Sequence, residues 1–510
     1  MASNRSILII GAGIGGLSAG CYARMNGYDV RVLEMNSQPG GACAGWRRGD
    51  YLFDGCIHNL GGTDPGSSLN GMWRELDVVP RLRTGSFAEQ VAIERLEGEP
   101  LILYSDLDRL AEHLKELAPA DEAEIDRLIS GARFFAKFDM MGLALARTSA
   151  RLRGFWRILP LALRYGSTTL RDYALRFSNP FLRTAFPRLI YDWPDQSVIM
   201  LLYFLGRMSV GDLGWVEGGS AALADAVAAR CTELGGKIRY GARVRSIIVE
   251  GDRAVGVRLA DGSEERADII ISNADGCTTI FDMLRGRYAS HKQRIFYSRP
   301  EDRVEMGIHV SFGVDKFFSS EPHAIVIPLM PPVQIDDETR DRLFVQIFNY
   351  DQSYAPVGKS VVKVLLSTSF GRWDRLARNP TAYRAAKERI IVAVSAALDR
   401  RFPGFAEAVD EVDVATPITS LRFTGSGHGY ENSMGDVMSS LFLGRRGGRR
   451  LPGLANFYQV GQWAGVPGVP FVAADGRNLI ESLCRRDGRR FTAEAPAAGT
   501  PVQPAFAAAA

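Results

Sequence analysis

The 510-residue chain is nearly balanced, with a formal net charge of +3, and 46% of it is hydrophobic. That length predicts two to four domains with ordinary cores, and that balance argues against a nucleic-acid partner held by global charge. Six cysteines stand far apart with no C-x-x-C pair, which argues against a disulfide framework or a cysteine zinc site, so no metal is expected.

Ser6 to Ile10 reads as a buried strand, and Gly11, Ala12, Gly13, Ile14, Gly15 and Gly16 follow at once. A helix from Leu17 to about Asn26 ends at Gly27, and a second strand, Asp29 to Leu33, runs into Glu34. This is a G-x-G-x-x-G turn in its strand–helix–strand context, with an acid about twenty residues on, and it predicts dinucleotide binding. Gly11 permits the tight turn, Gly13 lets backbone approach a pyrophosphate, and Gly16 lets the helix pack on the strand. The helix start presents free amides and a positive dipole end. Glu34 suits two ribose hydroxyls and would repel a 2′-phosphate. A Pro39-Gly40-Gly41-Ala42 loop then replaces the helix that an NAD-only enzyme would place here.

Further along, Leu101 to Tyr104 reads as a strand, and residues 108–210 read mostly as helices. Gly214 to Ser220 reads as a loop before an alanine-rich helix that Gly235 and Gly236 stop. Lys237 to Tyr240 reads as a strand. Val244 to Val249, Ala254 to Leu259 and Arg266 to Ile271 alternate like a β-meander. Strands are expected at Val304–Phe312, Ala324–Leu329, Leu343–Asn349 and Ser360–Thr368, and a helix at Thr381–Arg401. The order predicts an α/β fold: a Rossmann-type cofactor domain from residues 1–75, 211–290 and 411–490. Interleaved with it is an α+β substrate domain with a helical cap, from 76–210 and 291–410. The Ala- and Pro-rich residues 491–510 read as a disordered tail.

Near the C-terminus, the strand Phe457 to Val460 leads into Gly461, Gln462 and Trp463. Then come Gly468, Val469 and Pro470, and a helix starting near Val472. This repeats the N-terminal device of backbone amides at a helix start.

The Gly-Gly loop after Glu34 resembles the FAD-binding N-terminus of the flavoproteins that include amine oxidases, phytoene desaturases and Rab escort-type proteins. Ala42 stands where many members carry Arg, which disfavours the amine-oxidase branch. With residues 7–60, 214–275, 416–436 and 457–490 together, the chain resembles the phytoene desaturase-like family of FAD oxidoreductases. That family also holds carotenoid isomerases and retinol saturases. Thr416-Pro417-Ile418-Thr419, with Arg422, Gly425 and Gly429, resembles its T-P-x-T segment, and Phe53 to His58 resembles the G-I-H stretch of the retinol-saturase-like branch. Pro467 and Gln462 depart from the pattern.

The resemblance implies bound FAD and a lipophilic polyene or isoprenoid substrate that is desaturated, saturated or isomerised. It implies that the Gly-Gly loop runs beside the flavin and that Val244 meets the adenine through its backbone; by its residues alone, Val244 equally reads as a core strand position. Two alternatives stay open on the same scaffold: a flavin amine oxidase and a non-catalytic lipid escort. His58 is the candidate proton donor or acceptor, and a histidine that only orients its loop fits equally. Cys56 reads as buried packing, with no cysteine close to it in sequence. Between Arg147 and Arg188, nine arginines face one acid, Asp172, and interleave Phe155, Trp156, Leu161 and Leu163. This suits docking on anionic lipid; a solvated basic cap or a dock for an acidic carrier protein fits as well, and no nucleic-acid module surrounds the run. The strand at residue six leaves no room for a signal peptide. The expected location is therefore the cytoplasm, with peripheral contact at the inner face of the membrane.

Overall fold

The computed structural model describes residues 5–146, 148–298, 305–427 and 449–496. Ser6–Ile10 is the central strand of a five-stranded parallel sheet, in the order Lys237–Arg239, Asp29–Leu33, Ser6–Ile10, Ile269–Ser272, Phe457–Gln459. Both faces of such a sheet are covered, so its strands are continuous apolar runs. Ile7 and Ile9 face the helices Ile14–Met25, Gly219–Glu233 and Val469–Arg486. Leu8 and Ile10 face the opposite core, with Val244, Ile247 and Val257 of a three-stranded meander. The N- and C-terminal helices cross closely, because a methyl group at Gly476 would lie 2.5 Å from the Gly15 carbonyl oxygen.

A seven-stranded sheet runs Val409–Ala415, Glu305–Val314, Ser360–Ser369, Glu338–Ile347, Ala324–Ile335, Glu89–Ile93, Leu101–Tyr104. The helix Pro380–Arg401 packs with one of its faces in a separate core. The residues between Leu107 and Met208 are mainly helical. There Arg207 and Asp212, 5% and 0% exposed, form a buried ion pair at 2.8 Å. Among the described residues, no helix is long and apolar enough to cross a membrane.

Several elements differ from the sequence reading. The two glycine-loop helices begin three residues earlier than expected, at Ile14 and Val469. The stretch read as a loop from Gly214 holds the strand Leu213–Val216, which pairs with Leu60–Gly61 and Thr84–Gly85. The third meander strand is two strands: Glu264–Arg266 closes the meander, while Ile269–Ser272 enters the parallel sheet. Val409–Ala415 straddles the boundary drawn at 411 and belongs to the seven-stranded sheet. The tail begins ordered: Phe491 packs 6.0 Å from Tyr22, and the Thr492 amide donates to Asn26 Oδ1 at 2.8 Å. Residues 497–510 lie outside the described residues, as do Gly429 and Arg147.

Candidate functional site

Gly11, with φ of +94°, turns the chain out of its strand, and Gly13 caps the helix Ile14–Met25 without a side chain over its first amides. Ile14 is buried beneath it. The Glu34 carboxylate is held at this turn. One oxygen accepts from the Ala12 amide at 2.7 Å, and the other accepts from the Asn36 amide at 2.9 Å. The Gly-Gly loop closes on the same turn, with the Gly40 amide donating to the Ala12 carbonyl at 2.9 Å. A methyl group at Gly41 would lie 3.4 Å from Gly13 Cα. Ala42, the next residue, is exposed.

One residue at this centre has no counterpart in the sequence reading. Asn273 follows the strand Ile269–Ser272, and its backbone amide donates to the Ile10 carbonyl at 2.8 Å. A methyl group at Gly13, Gly15 or Gly461 would lie 2.6, 2.7 or 2.7 Å from its side-chain amide. Asn273 therefore sits among the glycines of both terminal loops. The signal the sequence offers for it is a polar residue directly after the strand Ile269–Ser272.

The C-terminal loop joins the same place. Gly461 has φ of +91°, and its amide donates to Asp475 Oδ2 at 3.2 Å. Gly468 caps the helix Val469–Arg486, with Pro470 buried in its first turn and Gln462 half-buried. The structure thus brings Gly11–Gly16, Glu34, Gly40, Gly41 and Gly461 to one cradle. Val244 is buried in the core beneath the sheet, at the start of the meander. Glu217 is tied to Arg83 at 2.7 Å near the surface.

His58 stands in a second group. Its ring packs 4.4 Å from Tyr191, and its Nδ1 lies 3.0 Å from Gln346 Oε1. With Gln90, Tyr191, Phe204, His323 and Phe344 it lines a largely apolar cavity. Burial, then the Lys363 and His309 charges, hold the His58 imidazole well below its usual range, so it is neutral at pH 7. The strand registers put Lys363 beside both Ser311 and Gln346, and His309 opposite Leu365, two residues further along Lys363's strand. By strand alternation all four share one sheet face. Lys363 is 0% exposed, and burial lowers its ammonium; its Nζ donates to the Asp54 carbonyl at 3.0 Å. His309 Nδ1 and Ser311 Oγ are buried without a hydrogen bond. Unpaired polar atoms on a buried face are costly.

The loop that carries His58 is tied down on all sides. Asp54 accepts from the Cys56 amide, the Ser220 amide and hydroxyl, and the Tyr354 hydroxyl. The Ile57 amide donates to Ser220 Oγ at 2.9 Å. A methyl group at Gly61 would lie 3.6 Å from Pro470, so the loop ends against the C-terminal glycine segment. Cys56 does have a cysteine neighbour, Cys43, whose thiol is pushed well up by the adjacent Cys56 and by burial. Among the described residues, no three His, Cys, Asp or Glu side chains converge as a metal site.

The family model of the NAD(P)-binding Rossmann-like domain matches residues 9–76. A prolycopene isomerase of Arabidopsis thaliana is 25% identical, over 84% of this chain and 74% of its own length. A 4,4'-diapolycopene oxygenase of Methylomonas sp is 25% identical, over 94% and 98%. A neurosporene-forming phytoene desaturase of Rhodobacter capsulatus is 24% identical, over 93% of both. An oxidoreductase from Methanosarcina mazei shares the fold at a TM-score of 0.58 and 17% identity, over 93% of this chain and 100% of its own. A putrescine oxidase does so at 0.57 and 16%, over 95% and 99%. With relatives that span nearly its whole length and a glycine cradle built from both of its ends, the chain is an oxidoreductase similar along most of its length to phytoene desaturases and prolycopene isomerases.

Proposed function

We propose that the chain is an FAD-dependent oxidoreductase acting on carbon–carbon bonds of a lipophilic polyene or isoprenoid. The observation that carries this reading is the pairing of the glycine cradle with an apolar cavity lined by a half-buried, neutral histidine. The residues fit FAD: three glycines crowd the Asn273 side-chain amide where side chains would block a phosphate, and Glu34 is poised for ribose hydroxyls. When bound, the flavin would supply hydride acceptance or donation.

This chain's residues would do the rest. The amides of Ala12 to Gly16 would meet the pyrophosphate, Gly40, Gly41 and Ala42 would flank the ribityl chain, and Val244 would meet the adenine. Gly461, Gln462, Gly468, Val469 and Pro470 would hold the flavin's pyrimidine end. The cavity walls would exclude water from an apolar chain. The Gln346 carbonyl oxygen fixes a proton on His58 Nδ1, which leaves Nε2 with a free lone pair. His58 would therefore take a proton at Nε2 when the substrate loses one, and return it in the reverse sense.

Substrate entry would come from an anionic membrane surface, with the protein held peripherally. Leu152, Trp156 and Leu163 on the helix Thr148–Tyr165 are 54%, 67% and 79% exposed. At 3.6 residues per turn they fall within about 40° of one another. Arg153, Arg157 and Arg164 form an adjoining exposed stripe. An apolar stripe beside a basic one is the pattern of an interfacial helix.

The test is an absorbance spectrum of the purified protein with mass spectrometry of its organic extract. Flavin bands with a polyene or isoprenoid are expected. Flavin with only polar amines turned over would replace the substrate class, and a protein that stays colourless after incubation with FAD would overturn the reading.

A further inference from the structure

We infer that Cys43 and Cys56 form a reversible dithiol–disulfide site across the open end of the hairpin that joins the Gly-Gly loop to the His58 loop. The strands Gly45–Arg48 and Tyr51–Asp54 pair with Gly45 opposite Asp54. Pairing runs one step further, because the Gly55 amide donates to the Ala44 carbonyl at 3.0 Å. Opposed residues of an antiparallel hairpin alternate between hydrogen-bonded and non-hydrogen-bonded pairs. Ala44 and Gly55 are hydrogen-bonded, so Cys43 and Cys56 are the next, non-hydrogen-bonded pair. Such pairs hold their Cα atoms about 4.5 Å apart, within the roughly 4.4–6.8 Å that a disulfide spans. The proximity of Cys56 also pushes the Cys43 thiol up.

Both are free thiols, and their exposures differ usefully. Cys43 is 4% exposed, while Cys56 is only half-buried, so a reagent meets Cys56 first. Cys21 and Cys231 also adjoin one another, but each is 0% exposed between packed helices, where no reagent reaches. The second pair is an internal control.

The chemistry is exchange with a low-molecular-weight disulfide. The Cys56 thiolate attacks one of its sulfurs, the reagent's S–S bond breaks, and one thiol leaves a mixed disulfide on Cys56. Cys43, having lost its proton, attacks the Cys56 sulfur, and the second thiol leaves. Two protein thiols have given up two electrons and two protons, and the reagent has gained both as two thiols. The bond would fix the separation of Gly40 and Gly41 from His58, which lie a few residues outside the pair on either side. The site rests on hairpin register and not on which cofactor is bound.

The test treats the folded full-length protein with glutathione disulfide, blocks remaining thiols, digests without reductant and identifies peptides by mass. A Cys43–Cys56 cross-link is expected, reversed by dithiothreitol, with Cys21 and Cys231 unmodified. Cys43→Ser should stop at glutathione on Cys56, and Cys56→Ser should take up no cross-link. A wild-type protein that ends as the mixed disulfide on Cys56, or that keeps both thiols free, would overturn the proposal.

Discussion

Two glycines of one motif should fail in different ways. A methyl group at Gly16 would lie 2.3 Å from the Gly11 carbonyl oxygen and 3.0 Å from Asn273 Cβ. The first is backbone at the turn and cannot step aside cheaply. Such overpacking costs about 1–3 kcal/mol, here near the upper end, and improved helix propensity returns about 1 kcal/mol. Gly16→Ala should therefore lose ~2 kcal/mol, or roughly 4–8 °C in Tm for a large domain. At Gly13 the methyl would meet Asn273 Nδ2 at 2.6 Å, the far end of a side chain that can rotate. Gly13 has φ of −70° and ψ of 165°, which alanine adopts freely. Gly13→Ala should keep the wild-type Tm without flavin, yet obstruct the approach of a phosphate. A loss of about 2 kcal/mol there is roughly thirtyfold in Kd. Thermal scans of the flavin-free protein and FAD titrations followed by flavin fluorescence separate the two. Equal Tm losses in both variants, or wild-type FAD affinity in Gly13→Ala, would refute the assignment of the first glycine pair to the cradle.

Other perturbations follow from the same geometry. Asp212→Asn leaves Arg207 charged and buried and should cost about 3–5 kcal/mol in urea unfolding; a loss under 1 kcal/mol would mean water reaches the pair. His58→Ala should keep flavin and lose most turnover, and near-normal turnover across pH would remove it from the reaction. Burial lowers His58 and brings His309 and His323 each to about 3. Below about pH 6.5 the unfolded chain binds more protons at these sites, so their stability is present above that pH and is lost as pH falls. Denaturation at pH 5 should show a loss of about 2 kcal/mol for each of His309 and His323 relative to pH 7, and equal stability at pH 7 and 5 would show that the rings are solvated. Trp156→Ser with Leu163→Ser should weaken co-sedimentation with anionic vesicles while leaving turnover of detergent-dispersed substrate intact. Unchanged sedimentation would discard the interfacial helix.

What the sequence disclosed depended on how local the physics was. The Gly11–Gly16 turn, Glu34 and the strands around them were readable because the apolar run, the glycines and the acid are consecutive. Leu213–Val216 was misread because nothing in those four residues specifies their partners, Leu60–Gly61 and Thr84–Gly85, which lie far back in the chain. Asn273 escaped for a similar reason: one polar residue after a strand means little until the sheet sets it beside Gly13 and Gly461. Lys363, Ser311 and His309 sit on strands whose composition says core, and only the register reveals that they share a buried face with Gln346 and adjoin His58. Cys43 and Cys56 are thirteen positions apart, and the hairpin turn at Gly49 and Asp50 is what makes them neighbours. The alanines and prolines of the tail gave no sign that its first residues, Phe491 and Thr492, dock on the first helix.

The parallel sheet also imposes an order of events on synthesis. Its central strand is made first, at residues 6–10, but its edge strand is Phe457–Gln459, and Gly461 completes the cradle. At about 5–20 residues per second, the first glycines wait roughly half a minute or longer for their partners. Until then the fingerprint turn has neither its covering helix Val469–Arg486 nor the far wall of its cradle. Under the proposed function, cofactor capture is a late event in the life of each molecule. A chain interrupted before residue 457 would carry the whole N-terminal fingerprint and still hold no flavin.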